Sequence, residues 1–228
     1  MSKRIEDAYA KDLDRLITEY WKEVMLRLFG RELEIAPPAR IDVAITSQQL
    51  TQISNMILGL YGGKVVKEHT IITYLQGLNF ANYQHGEKVT NFLSSPQDQR
   101  AIDALTEKGV LNLKGVLDES NKRIMNEVVD GLQRGEGYDK IARRIREIEP
   151  MSRSRAEMIA RTETMYAVNT ANIQRLKSLG FVRGKWLAGI DSRTCQSCIN
   201  EDGNEYDLDS FPAIPKHPRC RCTVQGVA

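Results

Sequence analysis

The sequence predicts a mainly α fold: a multi-helix body followed by a small C-terminal α+β module. Two observations predict it. Apolar residues recur at helical spacing from Ile5 to Leu179, punctuated by Gly, Pro and Ser. After Gly180 that period gives way to alternation and turn formers, and the four cysteines of the chain all lie there, at 195, 198, 220 and 222.

The elements follow in order. Ile5, Leu13, Leu16, Ile17, Tyr20, Val24 and Leu28 mark a long first helix stopped by Gly30, and Ala36-Pro37-Pro38-Ala39 marks a linker. A second helix carries Leu50, Ile53, Ile57 and Leu60, with Ser47 as its N-cap and Gly62-Gly63 as its break. A third spans about Lys64 to Asn82 through Val65, Ile72, Leu75 and Leu78. Residues 83–95 carry no clear signal. Ser95-Pro96 then reads as a cap with proline at the first helical position. That helix is expected to end at Lys108-Gly109, and a separate one to run from Leu113 to Leu132. A short helix from Tyr138 to about Ile148 sets Ile141, Ala142 and Ile145 on one face and stops before Pro150. The last helix runs from Ser152 to Leu179, with Gly180 in the left-handed position beyond it. Phe181 to Leu187 alternates as a strand does, and Asp202-Gly203-Asn204 reads as a hairpin turn.

The bulk numbers narrow the class. With 228 residues, 41% hydrophobic and 27% charged, the chain can bury a core, and global disorder is excluded. A formal charge of +2 does not by itself demand a nucleic-acid partner. The first residues turn acidic without an apolar stretch, and no segment approaches the ~18 apolar residues of a membrane span. A reducing cytoplasm is therefore expected, and no membrane.

Clustered cysteines in such a setting read as metal ligands. Cys195-Gln196-Ser197-Cys198 sets two thiolates on one side of a tight knuckle. After a gap of 21 residues, Cys220 and Cys222 point the same way if the chain there is extended, with His217 three residues before Cys220. Four such donors make a closed tetrahedral site of the zinc kind, structural because no position is left for water. The set is either the four cysteines or His217 with three of them. Two disulfides are the alternative if the protein works outside a cell, and plain buried thiols the blander one. The segment from Ala188 onward is poor in large apolar residues, so a staple has something to do.

At this point the order of motifs resembles a known family. Ser154-Arg155-Ala156-Glu157-Met158-Ile159-Ala160-Arg161-Thr162-Glu163 precedes the helix that ends at Gly180. Trp186, Asp191-Ser192-Arg193-Thr194-Cys195, Cys198, Asp202-Gly203 and His217-Pro218-Arg219-Cys220-Arg221-Cys222 follow. The string is similar to the phage Mu F-like minor head protein, or head morphogenesis, family, from near Asn126 to Val224. The resemblance implies a helical N-terminal region over 1–125 and a head morphogenesis domain over 126–228, its β/metal module starting near 181. It implies a structural component of the virion, inside the head or procapsid near the portal, with portal, major capsid or scaffold proteins as partners. Some members are joined to portal or toxin domains; with six residues after Cys222, no C-terminal toxin is expected here. Arg161, Glu163, Trp186 and Asp191 lie in the motif and are read as structural ties. A partly buried Arg161 or Glu163 would fasten the helix to the module, against the bland reading of a solvated face.

Residues 134–161 hold eight Arg/Lys against five acids. Arg143, Arg144, Arg146, Arg153 and Arg155 are candidate contacts to duplex DNA phosphates, though a solvated helix face is the commoner origin of such a run. A general DNA-binding module with structural zinc is the competing function. An enzyme or toxin activity in the N-terminal region is the other, resting on no positive motif. His69 and His85 lack neighbouring ligands, and the acids between the cysteine pairs read as turn and surface residues. The zinc deaminase pattern is absent, since Thr194 precedes Cys195. No enzyme activity and no small-molecule substrate are expected.

Overall fold

A computed structural model describes residues 3–29, 43–88, 90, 93 and 95–227, with the side chains of Lys3, Phe29, 43–45, 138 and 139 excepted. Gly30 and the Ala36-Pro37-Pro38-Ala39 linker fall outside the described residues. The elements are α1 (Lys3–Phe29), α2 (Val43–Ile57), a π-helical segment (Leu58–Gly62), α3 (Gly63–Gln84), α4 (Pro96–Gln133), α5 (Tyr138–Arg146), α6 (Glu149–Ser178), β1 (Arg183–Leu187), α7 (Gln196–Ile199), β2 (Glu205–Asp207) and β3 (Thr223–Val227). The fold is mainly α with a small C-terminal strand region, as expected.

Two compact units interleave along the chain. One comprises Met1–Asp7, Lys67–Lys108 and Met158–Ala228; the other comprises Ala8–Val66 and Gly109–Glu157.

The Ala8–Val66/Gly109–Glu157 unit is helical. Leu13, Leu16, Ile17, Tyr20, Val24 and Leu28 of α1 are buried, at the spacing that predicted the helix. Leu50, Ile53 and Ile57 of α2, Leu113, Val116, Leu117, Ile124 and Val128 of α4, and Ile141, Ala142 and Ile145 of α5 are buried as well. A polar relay crosses this packing: the Tyr20 hydroxyl donates to Asn121 Oδ1 at 2.6 Å, and Asn121 Nδ2 donates to Ser54 Oγ at 2.9 Å.

Three boundaries differ from expectation. Ser47 lies inside α2 and does not cap it, because the helix starts at Val43. Gly62-Gly63 does not break the helix but closes the π-helical segment: Gly63 keeps helical angles, φ −63° and ψ −42°. The wider π turn shifts the phase of the helix face, which leaves Leu60 exposed although its spacing matched the core. Gly109 does not end a helix either, because α4 runs unbroken for 38 residues. A Cβ at Gly109 would sit 2.6 Å from Val66 Cγ1, so the glycine serves close packing. The cap at Ser95 is present, its Oγ accepting the Asp98 N–H at 3.0 Å.

In the other unit, Tyr74 and Leu78 of α3, Ile102 of α4 and Ala171 of α6 form one buried cluster. α3 and α6 approach closely at Gly77, where a Cβ would lie 2.2 Å from the Val168 carbonyl oxygen. Gly180 takes φ +91° and ends α6 as expected. Beyond it stands a three-stranded antiparallel sheet, order β2-β1-β3, with Trp186 of β1 opposite Val224 of β3. Gly203, at φ +84°, makes its turn between α7 and β2, so the expected hairpin does not join neighbouring strands directly. Trp186, Leu208, Ile214 and Val224 share their core with Ala81 of α3, Leu176 of α6, and Cys198, Cys220 and Cys222.

Candidate metal centre

The first cysteine pair sits on one turn of helix. Cys195 caps α7, and its carbonyl accepts the Cys198 N–H at 3.0 Å, which folds both side chains to one side. The second pair lies on the approach to β3. Arg219 there adopts φ 61°, and the Cys220 N–H returns to the His217 carbonyl at 3.1 Å, so His217 and Cys220 occupy one tight turn. Cys220 and Cys222 are buried while Arg221 between them is exposed, the alternation that extended chain requires.

These segments converge. His217 Nε2 lies 3.2 Å from Cys195 Sγ and 3.1 Å from Cys198 Sγ, and Cys198 Sγ lies 3.8 Å from Cys220 Sγ. Cys195, Cys198 and His217 place their donor atoms within 4.8 Å of one another, as do Cys198, Cys220 and Cys222, so Cys198 belongs to both groups. The five expected donors thus lie in two such groups joined at Cys198, each of which could hold a metal ion. The geometry fits one. Two thiolates ~2.3 Å from a tetrahedral ion stand ~3.8 Å apart, the separation of Cys198 and Cys220.

The electrostatics fit a cation as well. Burial pushes the Cys198 thiol up to about 11. A hydrogen bond from the Cys222 thiol holds Cys220 down at about 5, and the same interaction drives Cys222 up. The backbone N–H of Cys198 lowers the Cys195 thiol, and the Pro218 carbonyl raises His217. Sulfurs this close cannot all carry charge without a positive centre among them.

Salt bridges brace the cluster. Arg221 makes two 2.6 Å hydrogen bonds to Asp191, which also accepts the Arg193 N–H at 2.8 Å, and Arg221 holds the Asp191 carboxyl well below the usual range. Asp191 thereby links the Cys195 knuckle to the Cys220 turn. Trp186 is fully buried and stacks on Phe211 at 5.9 Å. Lys216 and then Tyr206 hold the Glu201 carboxyl down at about 2.

The motif on α6 lies as follows. Arg161 approaches Glu6 and Asp7 of α1, each at 3.9 Å, and Glu163 approaches Lys108 at 3.7 Å. Thr162 between them reaches the module, its Oγ1 accepting the Arg219 N–H at 3.2 Å. Two further ties were not foreseen. Asn169 Nδ2 donates to the Cys222 carbonyl at 3.0 Å and Asn172 Nδ2 to the Val224 carbonyl at 2.7 Å, both from fully buried side chains. Their spacing of three on one helix face, amid apolar positions, was the signal available.

The basic stretch divides. Arg144 pairs with Glu127 at 2.7 Å and Glu136 at 2.8 Å, and Arg153 with Asp14 at 2.6 Å and Glu149 at 2.7 Å. Arg143, Arg146 and Arg155 are exposed. Among the described residues, no helix is long and apolar enough to cross a membrane.

Comparison with known proteins bears on this site. Residues 122–225, which contain all five donors, match the family model described as Phage Mu protein F like protein. An NAD(+)--arginine ADP-ribosyltransferase EFV of Enterococcus faecalis is 35% identical over 125 residues, covering 47% of this chain and 26% of the relative. An uncharacterised protein of Haemophilus influenzae is 25% identical over 182 residues, 77% of this chain and 39% of the relative. The minor head protein GP7 of Bacillus phage SPP1 is 27% identical over 137 residues, 50% of this chain and 44% of the relative. The chain thus spans less than half the length of each of these three. No solved structure matches it. The likeness to the transferase overturns the expectation that no enzyme activity attaches to this sequence. That expectation rested on missing catalytic motifs, and a module shared with an enzyme need not carry the enzyme's own motifs.

Proposed function

We propose, from the match of residues 122–225 to the phage Mu F-like family, that the chain is a minor head protein acting in head morphogenesis of a tailed phage or prophage. It resides in the procapsid or head and binds the portal, with major capsid or scaffold proteins as further partners. The observation that carries the reading is the family match itself, and the likeness to the minor head protein of phage SPP1 supports it. Co-purification with portal, major capsid and scaffold proteins tests it. Recovery of the portal is expected; recovery of none of the three sinks the assignment.

The metal in this reading is zinc, one ion per chain, held by the Cys195/Cys198/His217/Cys220/Cys222 cluster. It supplies shape and no chemistry, because a tetrahedral site filled by protein donors keeps no place for water. Elemental analysis with and without reductant checks it. The finer suggestion of contact with packaged duplex DNA falls to the exposed Arg143, Arg146 and Arg155. It requires an affinity that drops steeply with salt; negligible binding at low salt removes it.

A second reading follows from the 35% identity to the ADP-ribosyltransferase. In it, a protein with this segment transfers ADP-ribose from NAD+ to arginine. Incubation with labelled NAD+ and an arginine-rich acceptor decides: incorporation supports it, and an unlabelled acceptor at high protein concentration eliminates it.

A further inference from the structure

We infer that one metal ion is held by Cys195, Cys198, Cys220 and His217, and that Cys222 stands outside the coordination sphere as a thiol beside Trp186. The inference rests on the metal-binding reading above. Five donors are gathered where a closed tetrahedral site takes four, so one of them has another task.

His217 is prepared as a ligand. Its Nδ1 lies 2.8 Å from the Pro218 carbonyl oxygen, which can only accept, so Nδ1 carries the hydrogen and Nε2 presents a bare lone pair. A ligating imidazole is oriented in this way, one nitrogen donating to a carbonyl or carboxylate and the other facing the ion. That Nε2 sits 3.2 Å from Cys195 Sγ and 3.1 Å from Cys198 Sγ. Ligands ~2.1 Å and ~2.3 Å from a tetrahedral ion stand roughly 3.6 Å apart. For His217 against Cys195 and Cys198, entry of the ion therefore asks for a shift of a few tenths of an ångström, within reach of side-chain rotation at the half-exposed His217; Cys220, which joins this triad only through Cys198, has farther to move.

The fourth ligand comes from Cys220 or Cys222. Cys220 shares the turn of His217, its N–H bonded to the His217 carbonyl at 3.1 Å, and its sulfur stands 3.8 Å from Cys198. Cys222 is tied to the interior instead. Asn169 holds its carbonyl at 3.0 Å, and the Cys222 side chain packs in one buried core with Trp186, Leu208 and Val224. The Trp186 indole N–H beside it is buried and has no hydrogen-bond partner among the described residues. Cys222 thus completes the core under β1.

Cobalt(II) titration of the full chain, stripped of metal under reductant, tests the assignment. The sulfur-to-cobalt charge-transfer band grows with the number of bound thiolates. One equivalent of cobalt is expected, displaced by one of zinc. Cys220→Ser should lose about one third of the band, one thiolate of three. Cys222→Ser should keep the whole band, with affinity reduced by at most ~100-fold, the range for a residue that supports a ligand. His217→Gln should keep the charge-transfer band and shift the visible d–d bands. Equal band loss in Cys222→Ser and Cys220→Ser overturns the assignment, as does an unshifted spectrum in His217→Gln. If a variant fails to fold, the wild-type spectrum still separates three thiolates plus imidazole from four thiolates. A wild-type chain that binds neither cobalt nor zinc removes the metal reading itself, a failure distinct from a wrong ligand set.

Discussion

Cys195 and Asn172 mark the two ways in which single residues hold the C-terminal module. Cys195 is exposed, so its contribution comes through the cluster and not through burial. Cys195→Ser is expected to abolish the one equivalent of bound zinc and unfold residues 181–228 while helix content persists. Unchanged metal stoichiometry by elemental analysis would contradict it. Asn172 acts from a fully buried position on α6, where its amide satisfies the Val224 carbonyl. Asn172→Ala leaves that carbonyl without its partner at a cost of about 1–3 kcal/mol, read as a lower denaturant midpoint. A stability equal to wild type would show that the bond is dispensable. The two differ in legibility for a physical reason. Four cysteines near one histidine announce shared chemistry from spacing alone. An asparagine within a helix is ordinarily a surface residue, and only the strand packed on it turns Asn169 and Asn172 into ties.

At the scale of elements, the long periodic segments were legible and their punctuation was not. α1 follows its apolar spacing from Leu13 to Leu28 without exception. Gly62, Gly63 and Gly109 misled, because glycine marks both helix ends and close helix contacts, and sequence does not distinguish these before the partner helix is known. Gly77 shows the second use most sharply. Gly77→Ala is expected to destabilise by about 1–3 kcal/mol through overpacking against α6. A wild-type melting temperature would mean that the two helices can separate freely. α5 offers a pH test in the Ala8–Val66/Gly109–Glu157 unit. Glu136 takes hydrogen bonds from Lys140 and charge from Arg144, which lower its carboxyl pKa. A folded pKa below the unfolded one gives stability that is complete above the ordinary glutamate range and lost as pH falls through the folded value. Acid titration followed by circular dichroism should therefore be shallower in Glu136→Gln than in wild type, and identical curves would refute it.

Across the whole molecule, helices dominate the secondary structure while the cluster that could hold a metal ion lies in the smallest part. Chelation of the ion is expected to leave the far-ultraviolet circular dichroism almost unchanged and to shift Trp186 fluorescence to the red, read in a Trp21→Phe background. Loss of most helical signal on chelation would contradict that division. Structural zinc contributes on the order of 10 kcal/mol in isolated zinc peptides, ample for a segment with so few large apolar residues. The interleaving of the chain has a consequence for how this protein can be cut. The stretch that matches the family model is 122–225, yet the unit that carries the cysteines also draws on Lys67–Lys108, the source of Tyr74, Leu78, Ala81 and Ile102. The family match and the compact unit are bounded along different lines here: a gene fragment trimmed to 122–225 would encode the five candidate donors without the floor beneath them.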